Sequence, residues 1–120
     1  MLHKMKLQSE PFEKISNGSK TIELRLYDEK RQQVQIGDFI EFSLINEPRE
    51  KIQTRVIALH RFDSFQELYS ILPKEKLGYK SDKNTDPNNM NAYYSREKQA
   101  QYGVLGIEIE IVSICGYECR

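Results

Sequence analysis

The sequence has few of the features that mark membrane proteins and secreted proteins. Its 120 residues contain no apolar run approaching the ~20 residues of a membrane-crossing helix. Residues 1–4 do not begin a signal-peptide core. Only two cysteines are present, Cys115 and Cys119, and they cannot form a secreted disulfide framework. We therefore expect a cytoplasmic protein that does not enter the membrane.

Neither sign of charge is in excess. Lys plus Arg and Asp plus Glu each number 18, so the formal net charge at pH 7 is zero. This balance excludes a polybasic domain that holds nucleic acid by bulk charge. A local basic groove is still allowed. A net charge of zero fits a small ligand or a short single strand better than a long duplex.

Motifs of several enzyme classes are also missing. The sequence has no Gly-x-Ser-x-Gly elbow, no phosphate-cradling Gly-rich loop and no dinucleotide fingerprint. The two histidines, His3 and His60, are far apart in sequence, and the cysteines form no Cys-x-x-Cys pair. Serine hydrolases, P-loop enzymes and Rossmann enzymes are thereby excluded. We expect neither a metal nor a cofactor.

The hydrophobic patterning predicts a single α+β domain over residues 1–120. Period-two alternation and β-branched residues predict strands at residues 4–8, 20–27, 39–44, 52–59 and 104–114. Helical spacing and capping signals predict helices at residues 9–17, 64–72 and 92–102. This order favours a small, mixed, mostly antiparallel β-barrel, with helices inserted after the first strand and before the last strand.

The clearest strand, residues 20–27, brings charged side chains together. Glu23 and Arg25 share one face, roughly 7 Å apart at the backbone, and Lys20 lies at the strand mouth. A carboxylate can act as a general base, while a guanidinium can hold a phosphate or a carbonyl. The alternative is an exposed strand whose surface ion pair contributes ~0–1 kcal/mol.

A second candidate is aromatic. Tyr93 and Tyr94 begin the predicted helix at residues 92–102, near basic residues that could hold phosphates while the rings stack on bases. These basic residues are Lys83, Arg96 and Lys98. The favoured alternative is that Tyr94 packs on the barrel and Tyr102 closes the apolar stripe of the helix.

The polar segment at residues 78–91 is predicted to be a long surface loop. Its composition gives it no core-facing side, and loops of this length in small domains are often lids or binding loops. Because it leads straight into Tyr93, we expect a mobile flap that orders over a bound ligand.

A family resemblance lies in the segment Gly18-Ser19-Lys20-Thr21-Ile22-Glu23-Leu24-Arg25. It resembles the Gly-x-Lys-x-x-Glu-x-Arg hallmark of ASCH domains, a branch of the PUA-like superfamily. The flanking features also agree, so the resemblance covers nearly the whole chain: Pro11-Phe12, Ile15, Gly37-Asp38, and the segments around Tyr93-Tyr94-Ser95 and Tyr102-Gly103-Val104. The resemblance implies a PUA-like β-barrel with a cleft beside the first helix.

The resemblance also implies a function. ASCH domains are generally proposed to bind RNA or modified nucleosides, which makes a set of five residues the expected ligand-binding side chains: Lys20, Glu23, Arg25, Tyr93 and Tyr94. The expected partner is therefore RNA or a small nucleoside, and the protein is expected to be a monomer or a weak homodimer.

Two alternative functions are kept open. The first is a metal-independent hydrolase, either acetylcytidine amidohydrolase-like or a ribonuclease, with Lys20 and Glu23 as catalytic residues. In the amidohydrolase subgroup Lys20 matches the lysine, Glu23 stands where the subgroup has threonine, and Glu67 or Glu75 could supply the later glutamate. The second alternative is a protein-interaction adaptor that uses the loop at residues 78–91.

Overall fold

The computed structural model describes residues 1–80 and 86–115, and their strands form one curled sheet. The elements in chain order are β1 (Leu2–Leu7), α1 (Ser9–Ser16), β2 (Ile22–Leu26), β3 (Phe39–Leu44), β4 (Glu47–Phe62), α2 (Phe65–Ile71), α3 (Arg96–Tyr102) and β5 (Val104–Cys115). Short 3-10 helices cover Arg31–Gln33 and Pro87–Ala92. In the described part of the chain, no helix has the length and apolar character that crossing a membrane requires.

The sheet is a half-barrel with the strand order β1-β3-β4-β5-β2. β1 pairs with β3 in parallel, and every other pairing is antiparallel. The predicted α+β class, with a mixed and mostly antiparallel sheet, is therefore confirmed. The helices also lie where they were predicted, after the first strand and before the last strand. β1 and β2 form the two edges of this curled sheet.

β4 is longer than its hydrophobic pattern predicts. The prediction was residues 52–59, but the strand covers Glu47–Phe62. Its last residues stay in register with β5, since His60 lies opposite Gly106 and Phe62 lies opposite Val104. Backbone pairing with a neighbouring strand, which no local pattern reveals, extends the strand beyond its apolar residues.

Both faces of β2 are covered. Ile22, Leu24 and Leu26 pack on one side in an apolar cluster with α2 and Leu77. On the other side Glu23 lies opposite Ile107. Ile107 belongs to a second apolar cluster, which includes the residues that α1 buries. The charged face of β2 therefore points into the half-barrel, where its side chains contribute to the site described below.

Within the segment at residues 78–91, the described residues 78–80 and 86–91 are more structured than predicted. Pro87–Ala92 forms a 3-10 helix, and the Asp86 side chain accepts a hydrogen bond from the Asn88 N–H at 2.9 Å. Tyr79 and Met90 pack against the apolar cluster around α2, so the prediction of no core-facing side is wrong for them. The predicted helix at residues 92–102 begins instead at Arg96. Lys83 and Cys119 lie outside the described residues.

Asp38 ties the β1 edge to the turn that precedes β3. Its Oδ2 lies 2.8 Å from His3 Nε2, and the same oxygen accepts the Gln35 N–H at 3.0 Å. The hydrogen bond from His3, followed by the one from Gln35, lowers the pKa of Asp38 from 3.8 to about 2. The folded state therefore prefers the ionised carboxylate.

We expect Asp38→Asn to lower the free energy of unfolding at pH 7 by about 1–2 kcal/mol, because the charged acceptor is lost. A lowered pKa stabilises the fold above the unfolded value of 3.8 and stops doing so as the pH falls through about 2. The difference between wild type and variant should therefore shrink between these two pH values. Urea unfolding measured across pH checks this, with exposed Asp63→Asn as the control. Equal stability of Asp38→Asn and wild type at pH 7 would contradict it.

Candidate functional site

A cleft of about 260 Å³ opens where the end of β1 and the start of α1 face β2. All of the residues predicted for ligand binding line this cleft: Lys20, Glu23, Arg25, Tyr93 and Tyr94. The structure thus brings together side chains from two segments that are about 70 residues apart in sequence. The remaining walls come from β1, α1, α2 and the segment around Tyr79, with Ile45 after β3 and Met90 in the 3-10 helix.

Glu23 holds two cations inside the cleft. Lys20 Nζ lies 3.1 Å from Glu23 Oε1, and Arg25 Nη2 lies 2.9 Å from Glu23 Oε2. The Glu23 side chain is 6% exposed, and Lys20 and Arg25 are each 12% exposed. The alternative of an ordinary surface ion pair is therefore wrong. We call Lys20, Glu23 and Arg25 the ion triad.

The turn before β2 aims Lys20 at Glu23. Gly18 has a φ of +83°, a left-handed conformation that suits glycine, as the predicted helix stop requires. The chain then returns toward α1, where the Lys20 N–H donates to the Lys14 carbonyl at 3.0 Å. Lys20 also forms a backbone bridge with Leu77. These backbone contacts fix Lys20 at the mouth of the strand.

Glu23 is ionised at neutral pH. Burial by itself raises the pKa of its carboxyl, but the charges and hydrogen bonds of Lys20 and Arg25 outweigh burial and lower the pKa below 4.5. Each carboxylate oxygen already accepts from a cation. A general base works best with a pKa near the working pH, so the geometry makes Glu23 a weak base and a strong anchor for the two cations.

Arg25 also spans the seam between the two edge strands. Its Nη2 donates to the Lys6 carbonyl of β1 at 2.8 Å, while its Nε donates to Glu23 at 3.1 Å. Lys30 makes a second contact of this kind, because its Nζ donates to the Lys4 carbonyl at 3.3 Å. Side chains therefore join β2 and the segment after it to β1, where the sheet has no backbone ladder.

The tyrosines divide into an exposed one and several packed ones. Tyr93 is 63% exposed at the cleft rim. Tyr94 stacks on Phe65, with ring centroids 6.0 Å apart and an interplanar angle of 19°. The packing of Tyr94 that was predicted as the alternative to ligand binding is therefore present, and Tyr94 also lines the cleft. The Tyr69 and Tyr79 hydroxyls lie 3.3 Å apart. Burial raises the pKa of Tyr69 and of Tyr94, so both phenols stay neutral.

Other predicted residues lie elsewhere. Arg96 and Lys98 are exposed on α3 and do not line the cleft, and the Tyr102 hydroxyl donates to Glu29 at 3.1 Å. Glu67 and Glu75, the candidates for the later glutamate of the amidohydrolase subgroup, are exposed and also lie outside the cleft lining. Residues 1–80 and 86–115 contain no cluster of three or more His, Cys, Asp or Glu side chains placed to hold a metal ion.

Sequence reasoning missed several cleft residues: Lys6, Lys14, Tyr69 and Met90. Lys14 is four residues after Glu10 on α1, and their ion pair at 2.9 Å is the usual mark of an exposed helix face. Tyr69 belongs to the apolar stripe of α2, which predicts burial in the core. Neither residue carries a local signal that distinguishes a cleft wall from ordinary packing.

A family model for the ASCH domain matches residues 5–113. The chain belongs to the ASCH domain family. Hypothetical protein PH0355 is 32% identical to this ASCH domain, with a TM-score of 0.77 over 93% of this chain and 100% of that protein. Protein PF0455 from Pyrococcus furiosus is 35% identical, with a TM-score of 0.71 over 94% of this chain and 99% of that protein.

A more distant structure shares the fold. ASCH from Zymomonas mobilis is 12% identical, with a TM-score of 0.66 over 98% of this chain and 74% of that protein. These neighbours confirm the PUA-like fold that the Gly18–Arg25 motif predicted. No curated protein matches the chain.

Proposed function

We propose that this ASCH domain binds RNA or a nucleoside in the cleft beside the ion triad. The observation that carries the proposal is that the cleft has both a positive net charge and aromatic walls. Among the described residues that line the cleft, the cations are Lys6, Lys14, Lys20 and Arg25, and the carboxylates are Glu10 and Glu23. The lining therefore has a formal net charge of +2 in a protein whose overall charge is zero.

The size of the cleft supports a ligand of one nucleotide unit. Its volume of about 260 Å³ lies just below the ~300–1,000 Å³ that is usual for small-molecule pockets. A single base with its sugar suits such a volume, whereas a duplex does not enter it. Four tyrosines contribute to the walls described here: Tyr69, Tyr79, Tyr93 and Tyr94. Flat aromatic side chains are the surfaces on which unpaired bases stack.

Each group has a separate role in this proposal. Tyr93 stacks on the base because it is the most exposed of the cleft tyrosines. Lys20 and Arg25 donate hydrogen bonds to phosphate or to carbonyl oxygens of the ligand. Glu23 holds these two cations in place, since both of its oxygens are already engaged. The hydrolase alternative assigns catalysis to Lys20 and Glu23, and the lowered pKa of Glu23 makes this carboxylate a poor proton acceptor.

Tyr93→Ala tests the stacking role. We expect it to weaken the binding of a short single-stranded oligoribonucleotide by about 1–3 kcal/mol, or roughly 5- to 150-fold in Kd. Fluorescence anisotropy with a labelled oligonucleotide at low salt measures the change. Tyr93 is largely exposed, so the variant should keep the thermal stability of the wild type.

Ile71→Ala is the matched control, because Ile71 is 62% exposed on α2 and lies outside the cleft lining. It should bind the oligonucleotide as the wild type does. If the wild type binds no oligonucleotide and no nucleoside, or if Tyr93→Ala binds as well as Ile71→Ala, this cleft is not the binding site.

A further inference from the structure

Lys14 and Lys20 lie against each other at one wall of the cleft. The Lys14 carbonyl accepts the Lys20 N–H, and both side-chain stems pass over Gly78. A Cβ atom at Gly78 would lie 3.2 Å from Lys14 Cδ and 3.2 Å from Lys20 Cβ. Gly78 also has a φ of +94°, which side chains rarely tolerate. Glycine at this position therefore provides the space in which the two lysines converge.

The two ammonium groups are neutralised to different extents. Lys20 bonds to Glu23, a buried carboxylate that it shares with Arg25. Lys14 bonds to Glu10, whose side chain is 77% exposed. Exposed i,i+4 pairs are weak, so Lys14, whose Nζ also lies 5.5 Å from the centre of the Tyr79 ring, can exchange Glu10 for an anion in the cleft at little cost.

We propose that Lys14 and Lys20 form a phosphate subsite, and that the cleft takes a nucleoside bearing a phosphate monoester. This inference rests on the proposed function, because the base is placed against the tyrosines. A phosphate monoester carries about −1.5 to −2 charges at pH 7, which matches the +2 of the described cleft lining. A phosphodiester inside an RNA strand carries one charge and leaves the lining half neutralised.

The monoester has two sources, a free mononucleotide and the phosphorylated end of an RNA. Isothermal titration at fixed ionic strength compares the four nucleosides with their 5′- and 3′-monophosphates. It also compares a short oligoribonucleotide that carries a terminal phosphate with the same strand ending in a hydroxyl. We expect the phosphate to tighten binding about tenfold or more, since a hydrogen bond to a charged group contributes about 1.5–3 kcal/mol. A larger gain in one series than in the other identifies the source.

Lys14→Gln should remove most of this gain and weaken the binding of the unphosphorylated nucleoside by a much smaller factor. Lys98→Gln makes the same charge change on α3, outside the cleft, and should keep the gain. Equal binding of nucleosides and monophosphates by the wild type overturns the subsite and leaves the proposed function standing. A gain that survives in Lys14→Gln also overturns it. Absence of binding to every probe overturns both proposals.

Discussion

Glu23→Gln is expected to lower the free energy of unfolding by about 3–5 kcal/mol, because it leaves two nearly buried cations without their counter-charge. Lys20 and Arg25 are each 12% exposed, so water cannot fully replace the carboxylate. For a domain of this size the loss corresponds to a fall in Tm of roughly 10–20 °C. Urea and thermal unfolding followed by circular dichroism measure both quantities.

Glu110→Gln provides the matched control. Glu110 is an exposed carboxylate on β5, so its change to glutamine should alter stability by less than about 0.5 kcal/mol. A Glu23→Gln variant whose free energy of unfolding lies within about 1 kcal/mol of this control would contradict the buried ion triad.

The difference in stability between wild type and Glu23→Gln should depend on pH with a definite sign. The pKa of Glu23 is lowered in the fold, so its carboxylate stabilises the protein above the ordinary value of 4.5. That stabilisation is lost as the pH falls below 4.5 and through the folded value. The stability of wild type and Glu23→Gln should therefore converge on acidification. If the difference in the free energy of unfolding between the two proteins stays constant from pH 7 to pH 3, the charge of Glu23 is not the cause of the lower stability of Glu23→Gln.

The sequence allowed most of the fold to be predicted, because its elements carry local signals. The alternation in residues 22–26 placed Glu23 and Arg25 on one face of a strand. The capping signal that opens the predicted helix at residues 64–72 placed the start of α2, where Ser64 accepts the Glu67 N–H. The alternation could not show that the charged face points into the half-barrel. That direction depends on the register of Glu23 with Ile107, which lies far away in the sequence.

The composition of the cleft was harder to predict for the same reason. Lys14 lines the cleft beside Lys20, and both side chains pass over Gly78, which belongs to a turn distant in the sequence. Met90 lies in a polar segment and still packs against the cluster around α2. Tertiary contacts decide these positions, and neither composition nor periodicity records them.

Arg25→Ala is expected to have the second large effect, because Arg25 serves both the ion triad and the seam between the edge strands. The substitution removes the donors to Glu23 and to the Lys6 carbonyl. We expect a loss of about 3 kcal/mol in the free energy of unfolding, as for other broken buried pairs. Amide hydrogen exchange in β1 and β2 should also accelerate more than exchange in β4, because the edges separate before the centre of the sheet.

Lys30→Gln is the control for the seam. Lys30 also donates to a β1 carbonyl, but its contact of 3.3 Å is longer than the 2.8 Å contact of Arg25, and Lys30 is not part of the ion triad. Its loss should cost less than about 1 kcal/mol and leave exchange in β2 unchanged. Equal exchange profiles in Arg25→Ala and Lys30→Gln would contradict the special role of Arg25.

Arg25→Lys separates charge from geometry. Lysine keeps the +2 charge of the described cleft lining, but one ammonium group cannot reproduce the guanidinium fork that reaches Glu23 and the Lys6 carbonyl together. We therefore expect its stability to fall between those of wild type and Arg25→Ala. A weakened affinity for the labelled oligoribonucleotide in Arg25→Lys would then report the lost geometry, since the charge is unchanged. Wild-type stability together with wild-type affinity would show that Arg25 contributes its charge alone.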